Sequence, residues 1–250
     1  MRFVLTPDWF IGKDVFIEAF SFIVLLVFAF LAFRYFQLNK KNRNFLYLGS
    51  GFALIAVAQL ATILTKLVLY YDFGPSQQIG KAIVITYQIL NSVDVFYYIG
   101  FFFYRLLTLF GLYVIYRLPR AKKSAWDYVF SIYIIIISAL LFQNIYYLFH
   151  LTALILLILI VKNYWKTYQQ NNFGNTLVLI FAFSVLALSQ LIFMLSRIDI
   201  IFVIANLIEL VSYLVLLVLI IRILNHGTKK KSYGHNIRYV GPNQRKKRNH

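Results

Sequence analysis

Side chains that exchange protons or bind cations and small polar solutes recur in this sequence at one spacing. An asparagine, an acid and a tyrosine at positions i, i+3 and i+7 occur twice: Asn91, Asp94, Tyr98 and Asn206, Glu209, Tyr213. This spacing places the three side chains on one face of an α-helix. Because a carboxyl group exchanges protons while amides and phenols supply hydrogen bonds, the pattern predicts two matching polar helix faces.

The two polar faces are predicted to meet halfway across a membrane. Counting about 1.5 Å per residue from the outer helix ends places Glu209 roughly 15 Å deep, with Gln59 and Gln190 at similar depth. Two neighbouring carboxyl groups repel each other when both are ionised, so such a pair can exchange a proton near neutral pH. The candidate midplane binding layer comprises Asp94, Glu209, Asn91, Asn206, Gln59, Gln190, Tyr98 and Tyr213. The alternative is structural, because amide and neutral carboxyl groups also hydrogen-bond helices to one another, at about 0.6 kcal/mol each.

Three further ionisable residues fall within apolar stretches of the chain. Arg105 lies about three helical turns from Asp94, towards the cytoplasm, and is a candidate for gating or for pairing with an acid. Its alternative is a side chain that snorkels to the inner interface. Glu18 and His150 occupy matching places about one turn from the outer surface. They form a candidate outer proton site, or else they are ordinary interfacial side chains.

Several kinds of chemistry are absent from the sequence. There is no cysteine, and of the four histidines only His150 lies in an apolar run, which excludes thiolate sites and paired haem ligation. No HExxH, Walker A or GxGxxG motif stands in a suitable context, and the serines form no Ser-His-Asp set. The sequence therefore predicts no catalytic residues, no metal site and no cofactor, and a protein that is not an enzyme.

The elements that position these residues are long apolar helices. The chain is 61% hydrophobic and 13% charged, whereas about 25% of the residues in an ordinary soluble domain are charged. A hydrocarbon core about 30 Å thick requires about 20 residues of helix to cross it. Apolar runs fall at about 14–36, 45–69, 84–112, 127–142, 145–163, 176–198 and 199–224. The predicted fold class is an all-α polytopic membrane protein with seven transmembrane helices.

Basic residues collect in alternate connections, and this asymmetry predicts the orientation. They occur at Lys40, Lys41 and Arg43, at Arg117, Arg120, Lys122 and Lys123, at Lys162 and Lys166, and in the C-terminal tail. Loops rich in lysine and arginine are cytoplasmic. The prediction is a multi-pass protein of the cell membrane with its N-terminus outside and its C-terminus in the cytoplasm. The boundaries of the third and fourth spans are the least defined, because residues 81–118 are almost continuously apolar and the fourth run is short.

An internal duplication accounts for the repeated polar pattern. Residues 44–66 match residues 175–197 at a constant offset of 131, with eight of 23 positions identical. The identical pairs include Phe52/Phe183, Gln59/Gln190 and Leu60/Leu191. The predicted transmembrane domain, residues 1–224, thus contains repeat A at about 14–118, a connector helix at about 127–142 and repeat B at about 145–224.

This 3+1+3 arrangement resembles that of the SWEET and PQ-loop transporters, a likeness of architecture that covers the membrane region. It implies two halves related by a pseudo-two-fold axis along the membrane normal. The first and fifth runs contain no Pro-Gln pair. Microbial rhodopsins have the same span count and orientation, but residues 202–221 contain no lysine that could form a retinal Schiff base.

The tail, residues 225–250, contains eight lysines and arginines and no acid, and is predicted to be flexible. Such a segment suits anionic lipid headgroups, or RNA and ribosomes, and otherwise serves as a topology determinant.

The leading functional expectation is a small-solute or proton-coupled ion transporter, or a binding module, that uses the midplane layer. The alternatives are a seven-helix sensor that signals through an unknown protein partner and a non-catalytic membrane scaffold. The sequence is also compatible with homo-oligomers.

Overall fold

The computed structural model describes residues 7–38, 40, 43–71, 82–117, 125–141, 146–172, 174–196 and 198–236. For residues 8, 69–71, 82–96, 125–128, 130, 146, 171 and 224–236 it describes the backbone alone. These residues form seven α-helices: α1 Lys13–Leu38, α2 Asn44–Tyr71, α3 Ala82–Arg117, α4 Ala125–Leu140, α5 Tyr146–Asn171, α6 Gly174–Met194 and α7 Asp199–Asn236. A short 3-10 turn at Asp8–Phe10 precedes α1.

Six of these helices are long and apolar enough to cross a membrane within the described part of the chain. Their qualifying segments are Lys13–Leu38, Asn44–Val68, Tyr97–Arg117, Tyr147–Gln170, Gly174–Met194 and Asp199–Ile223. Large apolar side chains cover the outside of the bundle, including Phe16, Phe30, Phe181 and Val218, each more than half exposed. Water would disfavour so much exposed apolar surface, so the bundle is suited to lipid and the expected class of helical membrane protein holds. The remaining helix, α4, has only 16 residues.

The helices pack in two consecutive groups of three. In the first group α2 contacts α1 and α3, and in the second group α6 contacts α5 and α7. The groups meet through contacts of α3 with α5 and of α1 with α7, and α4 lies against α3 and α5. Polar side chains reinforce two of these contacts: Ser212 Oγ donates to the Ala182 carbonyl at 2.9 Å, and Asn163 Nδ2 donates to the Tyr116 carbonyl at 3.1 Å.

Three helices extend further than the apolar runs suggested, among them α5, which continues past residue 163 to Asn171. Within the almost continuously apolar residues 81–118, which are more than one upright membrane crossing needs, Ala82–Arg117 form a single 36-residue helix, α3. In the same way α7 continues past Leu224 to Asn236, into the segment predicted as a flexible tail. Since no proline interrupts residues 199–236, nothing in the backbone chemistry forces α7 to end at the predicted membrane boundary.

Candidate functional site

A small cavity lies at the junction of the two helix groups. Its volume is about 20 Å³, which is enough for about one water molecule. Four residues of the predicted midplane layer line it: Gln59 of α2, Gln190 of α6, and Glu209 and Tyr213 of α7. Two polar residues of α3, Tyr104 and Thr108, complete the polar lining, and the rest of the wall is apolar. We call this space the central cavity.

Hydrogen bonds link the polar side chains of the cavity across helices. The Tyr213 hydroxyl donates to Glu209 Oε1 at 2.9 Å, one turn away on the same face of α7. Gln59 Nε2 in turn donates to the Tyr213 hydroxyl oxygen at 3.5 Å, which connects the first helix group to the second. The Tyr213 side chain is therefore a relay between an amide of α2 and the carboxyl group of α7.

On the other wall of the cavity, Gln190 is held by His150. His150 Nδ1 and Gln190 Oε1 are 2.8 Å apart, and the imidazole ring stacks on Phe193 with ring centroids 5.1 Å apart. Arg105 is buried beside this pair, with its guanidinium carbon 5.6 Å from the centre of the Phe149 ring. Of the two roles expected for Arg105, burial inside the bundle does not match a side chain that snorkels to the interface.

A buried ion cluster, which the sequence patterns did not reveal, lies nearer the start of α1. Lys66 Nζ is 2.7 Å from Asp14 Oδ2 and 2.5 Å from Glu18 Oε1. The Asp14 and Lys66 side chains are at most 6% exposed. In the sequence, Lys66 is the last residue of the duplicated segment 44–66 and Asp14 the first residue of an apolar run, and neither was predicted to belong to a site. The sequence feature that could have identified the pair is their position: one lies near the start of an apolar helix and the other near the end of the next helix.

The other predicted site residues occupy different surroundings. Asn206 Nδ2 donates to the carbonyl of Phe202 in its own helix, at 2.9 Å, and does not line the central cavity. The Tyr98 ring packs on Tyr97 instead. The side chains of Asn91 and Asp94 lie outside the described residues, so the predicted acid pair is represented by Glu209 alone. Glu18 and His150 do not share a partner, because Glu18 pairs with Lys66 and His150 with Gln190.

A stack of aromatic rings lies about one helical turn from the central cavity, towards the starts of α2 and α6. Phe52 and Phe183 are nearly parallel, with centroids 6.1 Å apart, and each is about 1% exposed. Phe28 packs against Phe52 at 4.4 Å, and Tyr164 stacks on Phe183 at 6.0 Å. We call these four residues the aromatic barrier.

Beyond the aromatic barrier lies a larger cavity of about 620 Å³, which we call the vestibule. It is lined by the last turns of α1 and α5, by residues 219–223 of α7 and by the first turns of α2 and α6. Along α2, Phe52 falls between Leu48 in the vestibule wall and Gln59 in the central cavity. Along α6, Phe183 falls between Leu179 and Gln190 in the same way. The barrier therefore separates the two cavities.

No group of three or more histidine or acidic residues that could hold a metal ion occurs within the described residues. The groups in and beside the central cavity are a carboxyl, two amides, a histidine and phenols, which bind protons, water or small polar solutes.

Compared with known proteins, the chain matches no family model, and no curated protein or solved structure is detectably similar to it.

Proposed function

We propose that this protein is a transporter of a small solute or ion, coupled to protons, that works through the central cavity. The observation that carries the proposal is the convergence of four polar side chains from both helix groups on one small cavity: Gln59, Gln190, Glu209 and Tyr213. A carboxyl group at such depth is costly unless it is paired, protonated or hydrated, and it usually marks an ion or proton pathway.

Ionisable and polar groups also lie between the cavity and the other end of the bundle. The Asp14, Lys66 and Glu18 cluster lies near the start of α1, and Glu209 is within electrostatic reach of Glu18 and Lys66. From there Tyr213 leads to Gln59. The aromatic barrier and the vestibule follow. This order of ionisable entrance, polar cavity, closed barrier and open vestibule is the order expected of a transporter that is occluded at its centre.

The proposal includes the internal duplication and its pseudo-two-fold axis. Phe52 and Phe183, which are equivalent at the offset of 131, stack on each other, and equivalent residues meet only near a symmetry axis. Gln59 and Gln190 are equivalent as well, and they line the same cavity. The contacts of α1, α2 and α3 recur among α5, α6 and α7, and the α3 to α5 contact has its counterpart in α7 to α1.

We further propose seven spans, with the N-terminus outside and the vestibule facing the cytoplasm. The vestibule is formed by the ends of α1 and α5, the starts of α2 and α6, and residues 219–223 of α7. The four helix ends adjoin connections rich in lysine and arginine, and the α7 segment precedes the basic residues Lys229, Lys230 and Lys231. In this arrangement α4 is the short connector span between the halves, tied to α5 by a 2.8 Å hydrogen bond between Ser138 Oγ and Thr152 Oγ1.

Transport is tested with the full chain in liposomes that contain a pH-sensitive dye. An imposed pH gradient should collapse faster with the wild type than with empty liposomes, alone or on addition of one of a panel of alkali cations, sugars and amino acids. Glu209→Gln should abolish the difference, since the amide keeps the size but cannot be ionised. The matched control is Asp199→Asn, an exposed acid at the start of the same helix, which should transport normally.

Equal rates for Glu209→Gln and the wild type, or no rate above empty liposomes for any added solute, would contradict the proposal. In that case, thermal stability shows whether the polar midplane residues bind a ligand or only pack helices. If Asp94→Asn, Glu209→Gln and the double variant melt like the wild type at every pH and with every added cation or solute, the polar layer only packs helices.

The second candidate function is a sensor that signals through a protein partner. It is favoured by the uninterrupted course of α7, which carries Glu209 and continues past the apolar segment to Asn236, through Lys229, Lys230 and Lys231. A single rigid helix can transmit a change at its centre to its end. In this role, or in a scaffold, the basic tail would bind a partner, anionic lipid or RNA. Retention of anionic liposomes or RNA by the wild type but not by a chain ending at Asn225 would show that the tail is the binding segment, as a sensor or a scaffold requires.

A further inference from the structure

The vestibule has the form of a ligand site that the central cavity does not explain. Its volume of about 620 Å³ is within the range of about 300–1,000 Å³ that is typical of small-molecule sites. The inner part of the wall is apolar and includes Phe28, Leu48, Leu179 and Leu219. The polar residues of the wall, among them Asn44, Thr167, Asn175 and Thr176, are at or near the helix ends.

The helix ends around the vestibule are strongly positive. Four lining residues each directly follow a cation in the sequence: Tyr35 follows Arg34, Asn44 follows Arg43, Thr167 follows Lys166 and Ile223 follows Arg222. The Arg222 guanidinium lies over Gly174 of the wall, 3.1 Å from the position that a Cβ would occupy there. No aspartate or glutamate occurs in the helix ends that form the vestibule, residues 27–38, 43–50, 160–172, 174–180 and 215–223.

The first turns of α2 and α6 add to this positive field. Both helices begin at the vestibule, at Asn44 and Gly174, and a helix N-terminus carries a partial positive charge together with unsatisfied N–H groups. Arginine, asparagine and threonine side chains supply further donors for an anion. The groups that can bind an anion are therefore concentrated at the mouth of the vestibule, whereas its interior is mainly apolar.

We propose that the vestibule binds a single-chain amphiphile, with its anionic head among Arg222, Asn44 and Asn175 and its acyl chain along Phe28, Leu48 and Leu179. A molecule without a chain would leave the apolar wall empty, and a neutral head would gain nothing from the positive field at the mouth. Because the vestibule is partly open, the chain can enter while the head remains in contact with water. Carboxylate and phosphate heads are both anionic hydrogen-bond acceptors. Fatty acids and lysophospholipids are therefore both suitable ligands for the vestibule.

Binding at the vestibule goes beyond the proposed transport function and does not depend on it. The two cavities are separated by the aromatic barrier, so an amphiphile can occupy the vestibule without contact with Glu209. The Glu209→Gln variant, which tests transport, should therefore bind the amphiphile as the wild type does. Failure of transport and failure of amphiphile binding are thus distinguishable.

The probe is radiolabelled dodecanoate, added to the full chain in nanodiscs of phosphatidylcholine, with protein-free nanodiscs as the measure of partition into lipid. We expect one saturable site per chain. Lauroyl lysophosphatidic acid should displace the probe, whereas dodecanol and inorganic phosphate should compete at least about tenfold more weakly, a loss of about 1.4 kcal/mol or more. Arg222→Gln should weaken dodecanoate binding by about threefold to tenfold, because it removes a charged donor.

Two tryptophan variants of α2 and α6 test the location of the site. Leu48→Trp and Leu179→Trp fill the vestibule and should each reduce saturable binding by at least about tenfold. Leu60→Trp and Leu191→Trp are the matched controls, since they place the same side chain on the lipid-facing surface of the same helices, where these leucines are 38% and 44% exposed. They should bind normally.

Non-saturable uptake equal to that of protein-free nanodiscs would overturn the proposal, as would saturable binding that the folded Leu48→Trp or Leu179→Trp variant retains. Equal competition by dodecanol and dodecanoate would refute the anionic head. Folding of each variant is checked by gel filtration and by its melting temperature, and either vestibule variant alone suffices for the test.

Discussion

At the scale of single residues, the charges inside the bundle are stabilised by groups from neighbouring helices. Lys66 of α2 neutralises one of the two acids of α1 that surround it, so the cluster keeps a net charge of −1 when all three groups are ionised. Asp14 Oδ1 also accepts hydrogen bonds from the backbone N–H of Gly12 and Val15, at 3.1 and 2.9 Å. The cluster thus anchors the start of α1 to the end of α2.

We expect Lys66→Met to destabilise the protein strongly. It leaves two buried carboxyl groups without their cation, and breaking a buried ion pair from one side costs about 3–5 kcal/mol. The triple variant Lys66→Met, Asp14→Asn, Glu18→Gln should recover most of that loss, because no uncompensated charge remains. The measurement is the free energy of unfolding by dodecyl sulfate in mixed micelles.

The control for this prediction is Lys162→Met, an exposed lysine of α5. Its effect should be within about 0.5 kcal/mol of the wild type, as for most surface substitutions. A Lys66→Met variant as stable as Lys162→Met, or a triple variant less stable than Lys66→Met alone, would show that the cluster does not hold α1 against α2.

At the scale of elements, two glycines allow α2 and α3 to approach closely. A Cβ at Gly111 would be 2.7 Å from the Gly51 carbonyl oxygen and 2.6 Å from Ile55 Cγ1, and a Cβ at Gly51 would be 2.9 Å from the Gly111 carbonyl oxygen. Small residues at helix interfaces are a common means of close packing in membranes, where no hydrophobic effect drives helices together. The position of α3, and hence of Tyr104 and Thr108 in the cavity wall, depends on this contact.

We expect Gly111→Ala to destabilise the protein by about 1–3 kcal/mol, because the methyl group meets backbone atoms that cannot move independently of their helix. Gly174→Ala is the matched control. There the nearest atom to the new methyl group is Arg222 Nη2, at 3.1 Å, the end of a flexible side chain. Equal unfolding free energies for the two variants would mean that α2 and α3 are less closely packed than described.

At the scale of the whole molecule, the barrier predicts which positions a water-soluble reagent can reach. The chain has no cysteine, so single cysteines can be introduced without further change. A charged thiol reagent should modify Leu48→Cys in the vestibule at least about tenfold faster than Gln59→Cys in the central cavity, because open states are usually only a minor population. Combining Gln59→Cys with Phe52→Ala and Phe183→Ala should accelerate its modification, and an unchanged rate would place the barrier elsewhere.

The same approach tests the orientation of the molecule in a membrane. With an impermeant thiol reagent applied to intact cells, Trp9→Cys should be modified and Lys229→Cys should react only after the membrane is permeabilised. The expectation follows from the basic connections and tail, which favour the cytoplasm. The reverse pattern would invert the molecule and would place the vestibule on the outer surface, while the geometry of both cavities would remain as described.

The sequence by itself determined the number and approximate limits of the helices. Apolar runs longer than a bilayer crossing can satisfy their backbone groups in lipid only as helices, so hydrophobicity alone located α1, α2 and α6 and the starts of α5 and α7. The offset of 131 also identified Gln59 and Gln190 as equivalent, and the i, i+3, i+7 spacing placed Glu209 and Tyr213 on one face. These are local properties, which can be read from the order of the residues and the periodicity of a helix.

Only the tertiary structure decided which of these polar groups meet. Asn206 has the predicted spacing, yet it bonds to the carbonyl of Phe202 in its own helix. Glu18 and His150 occupy matching places in the sequence, but their partners differ: Glu18 pairs with Lys66 and His150 with Gln190. The rotation of each helix about its axis and the identity of its neighbours depend on packing between distant segments, such as the contact of Phe52 with Phe183. Periodicity within one helix contains no information about either, so the ion cluster, the barrier and the vestibule emerge only when all the helices are packed together.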